Sequence, residues 1–256
     1  MAPFGRMLPP ENLFGRTKKL RFLRDHLERI RSVTKRSTIK VLDFGCGNGE
    51  AVCQYIVGNG VQYYGVDVHP PSLDRARSMI RSPAASFSHE VPGNERFDVI
   101  VYADVLEHLA HPEELLVDHR ERLEDDGILV GSVPNGKGWF EIEKSMYRAT
   151  GLDRMLPHLG RIKRKIFHQE RKPYNRDSGH LQFFTKSTLS KLFVSTGFRI
   201  EDFQNWTVLA SPILDRLCPS SVAEIDARLA DRLPYWMVSG WLFTARKQLV
   251  DGVNKP

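Results

Sequence analysis

The chain has 256 residues, of which 41% are hydrophobic and 27% are charged, and its formal net charge is +6. This length can form one full hydrophobic core, and the three cysteines, which lack a Cys-x-x-Cys pair, argue against a disulfide framework or a structural zinc site. The sequence shows neither a signal-peptide core nor a membrane span of roughly 18 apolar residues, so we expect a cytoplasmic protein.

The first predicted element is an amphipathic helix within residues 18–32. Four apolar residues recur there at helical spacing and share one face: Leu20, Leu23, Leu27 and Ile30. We therefore assign residues 1–38 to an N-terminal helical segment and residues 39–256 to the main domain.

A strand that ends in a glycine-rich turn follows. The apolar run at residues 39–44 leads into Gly45, Gly47 and Gly49, and a helix-compatible stretch comes next at residues 50–57. Strand, tight glycine turn and helix form the ligand-binding corner of an open α/β sheet, because glycines allow positive φ and let a ligand approach the main chain. The turn therefore predicts a bound cofactor.

The spacing of these glycines narrows the choice of cofactor. The third glycine of a dinucleotide fingerprint is absent, since Glu50 or Val52 occupies its place. The Gly-Lys-Ser/Thr of a phosphate-binding P-loop is absent as well. Both NAD and a nucleoside triphosphate are therefore disfavoured.

An acidic residue lies at the end of the second predicted strand. Residues 62–66 form a short apolar run, and Asp67 follows about 20 residues after the glycine turn. In a βαβ unit this position lies at the carboxyl end of the neighbouring strand, where a carboxylate can accept both ribose hydroxyls. Asp67 thus predicts a nucleoside; the alternative is a solvent-facing turn residue before Pro70.

Strands and helices continue to alternate along the chain, which predicts a parallel sheet with helices on both faces. Further strands are predicted at residues 85–89, 99–103, 127–133 and 239–246. Two stretches interrupt this rhythm, at residues 136–179 and 211–234.

Four motifs in this order resemble class I S-adenosylmethionine (SAM)-dependent methyltransferases, in particular the ubiquinone-type and other small-molecule methyltransferases. They are DFGCGNG at residues 43–49, Asp67, ADVLEHL at residues 103–109 and HLQFFT at residues 180–185. The resemblance implies an α/β fold with a Rossmann-like, seven-stranded and mostly parallel sheet and helices on both faces. It also implies that residues 1–38 cover the site and that residues 136–179 and 211–234 are lid insertions, after the fifth strand and before the last.

The resemblance further implies SAM as the cofactor. The implied binding residues are Asp43, Gly45, Cys46, Gly47, Asp67, Val68, Glu90, Ala103 and Asp104. The glycine turn borders the methionine part, Asp67 holds the ribose, Val68 packs on adenine, and Ala103 or Asp104 borders the methionine part or the reacting methyl. Glu90 would meet the adenine amine, although SHEVP at residues 88–92 departs from the family's Asp-x-x-x-Leu-Pro pattern.

Two histidines are candidates for a general base that removes a proton from the methyl acceptor. His108 lies just beyond the fourth strand, and His180 opens the late motif. Imidazole titrates near neutrality and suits this step, while the alternative for each is a structural hydrogen bond. Glu107, His108 and His111 have helical spacing but no evident partner ligand, so we expect no metal site.

A strongly basic segment occupies residues 144–176. It holds ten basic and two acidic residues, a local charge of +8. It could bind an anionic small-molecule or lipid-linked acceptor, or rest on an anionic membrane through residues 139–176, which would make the protein peripheral. A merely solvated lid is the third alternative, and a nucleic-acid partner is disfavoured because no RNA-binding module accompanies the charge.

The expected function is transfer of the SAM methyl group to a small-molecule or a lipid- or sugar-linked acceptor, with oxygen as the acceptor atom. The Asn/Asp-Pro-Pro-Tyr/Phe signature of amino-methyltransferases is absent, since residues 103–106 read ADVL. Two alternatives stay open: a non-catalytic SAM-binding regulatory protein, and an RNA or protein methyltransferase.

Overall fold

The computed structural model describes residues 6–58, 60–93, 95–138, 146, 149–151, 179–211, 214–216 and 218–248. Most of the basic segment at residues 144–176 lies outside the described residues, and so does most of the stretch 139–176 predicted to contact a membrane. Among the described residues, no helix combines the length and apolarity that crossing a bilayer requires.

Seven strands form one sheet in the order β3-β2-β1-β4-β5-β7-β6. Six strands share one direction, and β7 runs antiparallel to both of its neighbours. The strands are β1 (Ile39–Phe44), β2 (Val61–Val66), β3 (Ala85–Ser88), β4 (Phe97–Ala103), β5 (Leu123–Pro134), β6 (Phe198–Asn205) and β7 (Gly240–Lys247). The predicted fold class, a Rossmann-like and mostly parallel seven-stranded sheet, is confirmed.

Helices cover both faces of the sheet. The described α-helices are α1 (Arg16–Thr34), α2 (Cys53–Ile56), α3 (Pro70–Met79), α4 (Pro112–Arg122), α5 (Lys186–Ser195) and α6 (Ser220–Ala230). Short 3-10 turns occupy Leu106–His108 and Leu214–Arg216. The first of the two predicted insertions is described only in part, and the second contains α6.

Neighbouring strand residues face opposite sides of the sheet, as the pleat requires. Val41 and Val99 pack with the apolar face of α1, whereas Leu42 and Ile100 pack in the cluster that contains residues of α4 and α5. Each face therefore has its own buried apolar cluster, and the rigid sheet between them holds the strand ends in register.

Helix α1 begins two residues before the predicted stretch and ends two residues after it. Its predicted apolar stripe is buried, which explains why the helix forms on this sheet. Gly15 precedes it with φ of 60° and offers no capping side chain, so the Glu11 carboxylate accepts the free N–H groups of Thr17 and Lys18, both at 2.8 Å.

Helix α2 is much shorter than the predicted helix at residues 50–57. Only Cys53–Ile56 is helical, because the glycine turn extends as irregular turns up to its N-cap residue, Val52. The sequence pattern marks the end of the turn too early.

Candidate functional site

The sheet reverses its winding between β1 and β4. From β1 the order continues through β2 to β3, and from β4 it continues in the opposite direction through β5. Ligands of open α/β sheets bind at the carboxyl edge beside such a switch point. Most of the residues predicted to bind the cofactor lie at or near this edge.

The glycine turn has a left-handed backbone conformation, and it leaves free space beside one of its glycines. Gly45, Gly47 and Gly49 have φ of 79°, 55° and 72°. These values lie in the left-handed region, which residues with a side chain rarely adopt. A Cβ on Gly45 would lie 2.6 Å from Val105 Cγ2, so that glycine is packed, whereas nothing lies within 4 Å of a Cβ on Gly47. Gly47 therefore leaves space for a ligand against the main chain.

Asp67 is joined to the glycine turn. One carboxylate oxygen accepts the Gly47 N–H and the other accepts the His69 N–H, each at 2.8 Å. Each carboxylate oxygen has a second lone pair that can accept from a further donor, and the side chain is only half-buried. These contacts fix the predicted ribose acid beside the open glycine.

Asp43 lies beneath the same turn at the end of β1 and is 1% exposed. Its Oδ2 accepts a hydrogen bond from the Tyr63 hydroxyl, while Oδ1 has no partner among the described residues. Burial raises the pKa of Asp43 to about 7; the Tyr63 hydrogen bond and the Lys19 charge oppose this rise, and the Asp67 charge adds to it. Asp43 is thus a buried carboxyl group, and one of its oxygens accepts no hydrogen bond from the described residues.

Asp104, at the end of β4, is held by residues from distant parts of the chain. It has φ of 59°, uncommon for a residue other than glycine. The Ser132 hydroxyl donates to its Oδ1 at 2.6 Å, and the Lys19 ammonium donates to its Oδ2. Lys19 also lies 4.3 Å from the ring centre of Trp206. The structure thereby brings α1 directly to the switch point.

The two candidate bases come together although 72 positions separate them. The His108 and His180 ring centres are 5.0 Å apart, and His108 Nδ1 lies 3.1 Å from the Gly179 carbonyl oxygen. The Glu107 carboxyl is 1% exposed, and its Oε1 lies 3.9 Å from His108 Nε2. The Glu107 carbonyl accepts the Leu181 N–H at 2.8 Å, which fastens the late motif to the fourth-strand motif.

Glu107, His108 and His180 form a possible metal site that was not expected from the sequence. Ligand atoms of Glu107, His108 and His180 all lie within 4.8 Å of one another, so these side chains could hold a metal ion. The sequence spacing missed this set because its third member comes from a different segment.

The remaining predicted residues lie in the glycine turn or at the carboxyl ends of their strands. Val68 is 76% exposed and Glu90 is exposed, so both are accessible to a ligand beyond the ends of β2 and β3. The Cys46 side chain is buried against the core, and burial raises the pKa of its thiol above the ordinary value. Only the backbone of Cys46 therefore faces the turn's open side, and the half-buried Ala103 lies beside Asp104.

Four residues of the candidate site were not predicted from the sequence: Lys19, Tyr63, Ser132 and Trp206. The first three contact a predicted acid and Trp206 contacts Lys19, and these contacts arise only through the fold. Lys19 differs from its neighbour Lys18 only in helix position: Lys18 donates instead to the Ala227 carbonyl oxygen and to Asp231 on the α6 side.

Comparison with known proteins places this site in a family. A sequence profile described as a methyltransferase domain matches residues 15–231. The chain therefore belongs to the methyltransferase-domain family. It is a class I SAM-dependent methyltransferase, and the predictions of enzyme class and of SAM as cofactor are confirmed.

Individual relatives agree with this assignment. The chain is 26% identical to a ubiquinone biosynthesis O-methyltransferase of Nitrobacter winogradskyi over 88% of this chain and 81% of that protein. It is 30% identical to the mitochondrial ubiquinone biosynthesis O-methyltransferase of Candida albicans, but over only 41% of this chain and 36% of that protein. The match thus spans about a third of the Candida protein's length.

A solved structure gives the same fold. The 1,6-didemethyltoxoflavin-N1-methyltransferase of Burkholderia thailandensis, solved with S-adenosylhomocysteine, has a TM-score of 0.51 and 18% identity over 89% of this chain and 78% of that one. This likeness concerns the fold alone.

Proposed function

We propose that this methyltransferase transfers the methyl group of SAM to a hydroxyl oxygen of a small-molecule acceptor. The observation that carries the proposal is the pairing of His108 with His180 above a buried Glu107, because a hydroxyl, unlike a neutral amine, must lose its proton to attack. The likeness to ubiquinone biosynthesis O-methyltransferases supports oxygen as the acceptor atom.

The cofactor lies across the switch point. The residues at the switch point fit SAM in two ways. The space beside Gly47 allows a ligand to contact the main chain, and Oδ1 of the buried Asp43 can accept a further hydrogen bond. Asp67 binds the ribose hydroxyls, Val68 and Glu90 border the adenine, and Ala103 and the turn from Gly45 to Gly47 border the methionine part. Bound SAM supplies a methyl group that its sulfonium already makes electrophilic.

The methionine part carries both an ammonium and a carboxylate. Asp43 and Asp104 supply negative charge for the ammonium. Lys19 is a cation that already contacts Asp104 and is only 20% exposed, so it supplies positive charge for the carboxylate. This role supports the proposal that the N-terminal segment at residues 1–38 covers the site.

Proton removal falls to the histidine pair. When His108 Nδ1 donates to the Gly179 carbonyl oxygen, its Nε2 holds the lone pair that accepts the acceptor's proton. The Glu107 carboxylate, 3.9 Å away, then stabilises the imidazolium. His180 lies against the same ring and orients it.

We also propose that the two insertions act as lids. We place residues 136–179 and 211–234 over the acceptor, with the basic segment binding an anionic or lipid-linked acceptor or resting peripherally on a membrane. An RNA or protein methyltransferase is the competing alternative, and no specific observation favours it.

A methyl-transfer screen tests the proposal. Purified protein is incubated with SAM labelled in the methyl group and with catechols, phenols and aliphatic alcohols, with and without anionic substituents. Label in a hydroxylated acceptor supports the proposal. Label found only in amines, RNA or protein, with SAM bound normally, would contradict it.

A further inference from the structure

Two buried tyrosines of the sheet each contact a titratable side chain, on opposite faces. Tyr102 pairs with His119 on the α4 face, at 2.5 Å between hydroxyl and Nδ1. Tyr63 pairs with Asp43 beneath the glycine turn. Both tyrosines are fully buried, and the partner of Tyr63, Asp43, lies near the end of β1, two residues before Gly45.

The Asp43 carboxyl accepts too few hydrogen bonds to stabilise a buried negative charge. One oxygen has the Tyr63 hydrogen bond, and the other has no partner among the described residues. A buried carboxylate in this state loses hydration that one neutral donor does not replace, so protonation is favoured. Arrival of a cation reverses that preference.

The charged and titratable groups around Asp43 come from every side of the turn. Asp67, beyond β2, disfavours the ionised form, and Lys19 from α1 favours it. The thiols of Cys46 and Cys53 also face it, and burial raises the pKa of both thiols, which keeps them neutral. Burial raises the pKa of Asp43 to about 7, so this carboxyl can gain or lose a proton near neutral pH.

We propose that Tyr63 is a positioning residue that holds Asp43 as a proton-linked receptor for the cofactor's methionine ammonium, so that cofactor binding releases one proton from Asp43. The proposal rests on the proposed SAM site. The step balances simply: the Asp43 O–H bond breaks, the proton goes to buffer, and the carboxylate that forms is compensated by the ammonium.

The sign of the pH dependence follows from linkage. In the unliganded protein the pKa of Asp43 is about 7, and a bound ammonium lowers it. Cofactor affinity is therefore constant above the unliganded pKa and falls below it, by up to about tenfold per pH unit. The fall stops below the lowered pKa of the complex.

The test measures binding of S-adenosylhomocysteine, which keeps the amino acid and lacks the sulfonium, by calorimetry from about pH 5.5 to about pH 8.5. Pairs of buffers with different ionisation enthalpies report proton release. We expect affinity to fall below pH 7 with proton release of up to one per site. 5′-Methylthioadenosine, which lacks the amino acid, should bind without this pH dependence.

Three variants assign the effect. Asp43→Asn should abolish the proton release, and Tyr63→Phe should move the midpoint upward by about one pH unit because Asp43 loses a donor to its charged form. Tyr102→Phe is the matched control, since it removes a buried tyrosine hydroxyl on the other face and should leave the midpoint unchanged. A purely structural role for Tyr63 would lower stability without moving the midpoint.

Failure of the inference differs from failure of the proposed function. Tight binding without pH dependence, unchanged proton release in Asp43→Asn, or an unmoved midpoint in Tyr63→Phe would overturn the inference alone. Absence of binding by SAM and by S-adenosylhomocysteine at every pH would overturn both.

Discussion

The two halves of the site are built in different ways. The β1–β2 half consists of Asp43, the glycine turn and Asp67, which lie within 25 residues of one another. The β4–β5 half joins Lys19, Asp104, Ser132 and Trp206 with the His108–His180 pair, so it draws on segments from the whole chain. In the proposed site, one supersecondary unit thus supplies Asp43, the glycine turn and the ribose acid, whereas Lys19, Asp104 and the acceptor end come together only through tertiary structure.

The largest expected effect is in the acceptor half. His108→Ala should lower kcat by about 10²–10⁴-fold, because the acceptor loses its general base. Steady-state kinetics with an acceptor from the screen would measure it, and the dissociation constant of SAM should stay unchanged. Equal losses in kcat and in SAM affinity would mean that His108 supports the fold rather than the chemistry.

The next effect is in the nucleoside half. Asp67→Ala should weaken SAM binding by about 10²-fold, because two charge-assisted hydrogen bonds to ribose and the bond to Gly47 are lost. Calorimetry measures the change. Asp74→Ala, which removes an exposed carboxylate of α3, is the control and should bind normally. Unchanged affinity in Asp67→Ala would remove the ribose assignment.

A smaller effect tests whether α1 belongs to the site. Lys19→Met should weaken SAM binding by about tenfold, since one partly exposed charge pair with the methionine carboxylate is lost. Lys19→Arg keeps the charge and should recover most of the affinity. Tighter binding in Lys19→Met would show that the lysine competes with the cofactor instead of holding it.

The smallest effect concerns the support of Lys19. Trp206→Phe keeps a ring beneath the ammonium but removes the indole N–H that donates to the Gly15 carbonyl oxygen at 3.0 Å. A weaker cation–π contact and a looser α1 start should reduce SAM affinity by about two- to fivefold. The same substitution in a Lys19→Met background should have a smaller effect, because the cation–π contact is already absent there, and a double-mutant cycle would measure the difference.

The contrast between the halves also explains what could be predicted from sequence. Apolar runs and the glycine turn predicted six of the seven strands and Asp67, because these signals are local, whereas the seventh strand, β6, was expected only from the family resemblance. His108 and His180 were predicted singly, but their contact with each other depends on how the segment at residue 180 docks on Glu107. Lys19, Tyr63, Ser132 and Trp206 carry no local signal, since only tertiary packing brings the first three to an acid and Trp206 to Lys19.

The most direct test of oxygen methylation is the identity of the bond formed. The enzyme is supplied with SAM carrying a ¹³C methyl group and with the best acceptor from the screen, and the product is examined by NMR. We expect the ¹³C shift of an O-methyl group in the product of the wild type and almost none of this product from His108→Ala. An N-methyl or C-methyl shift, or equal product from both proteins, would contradict it.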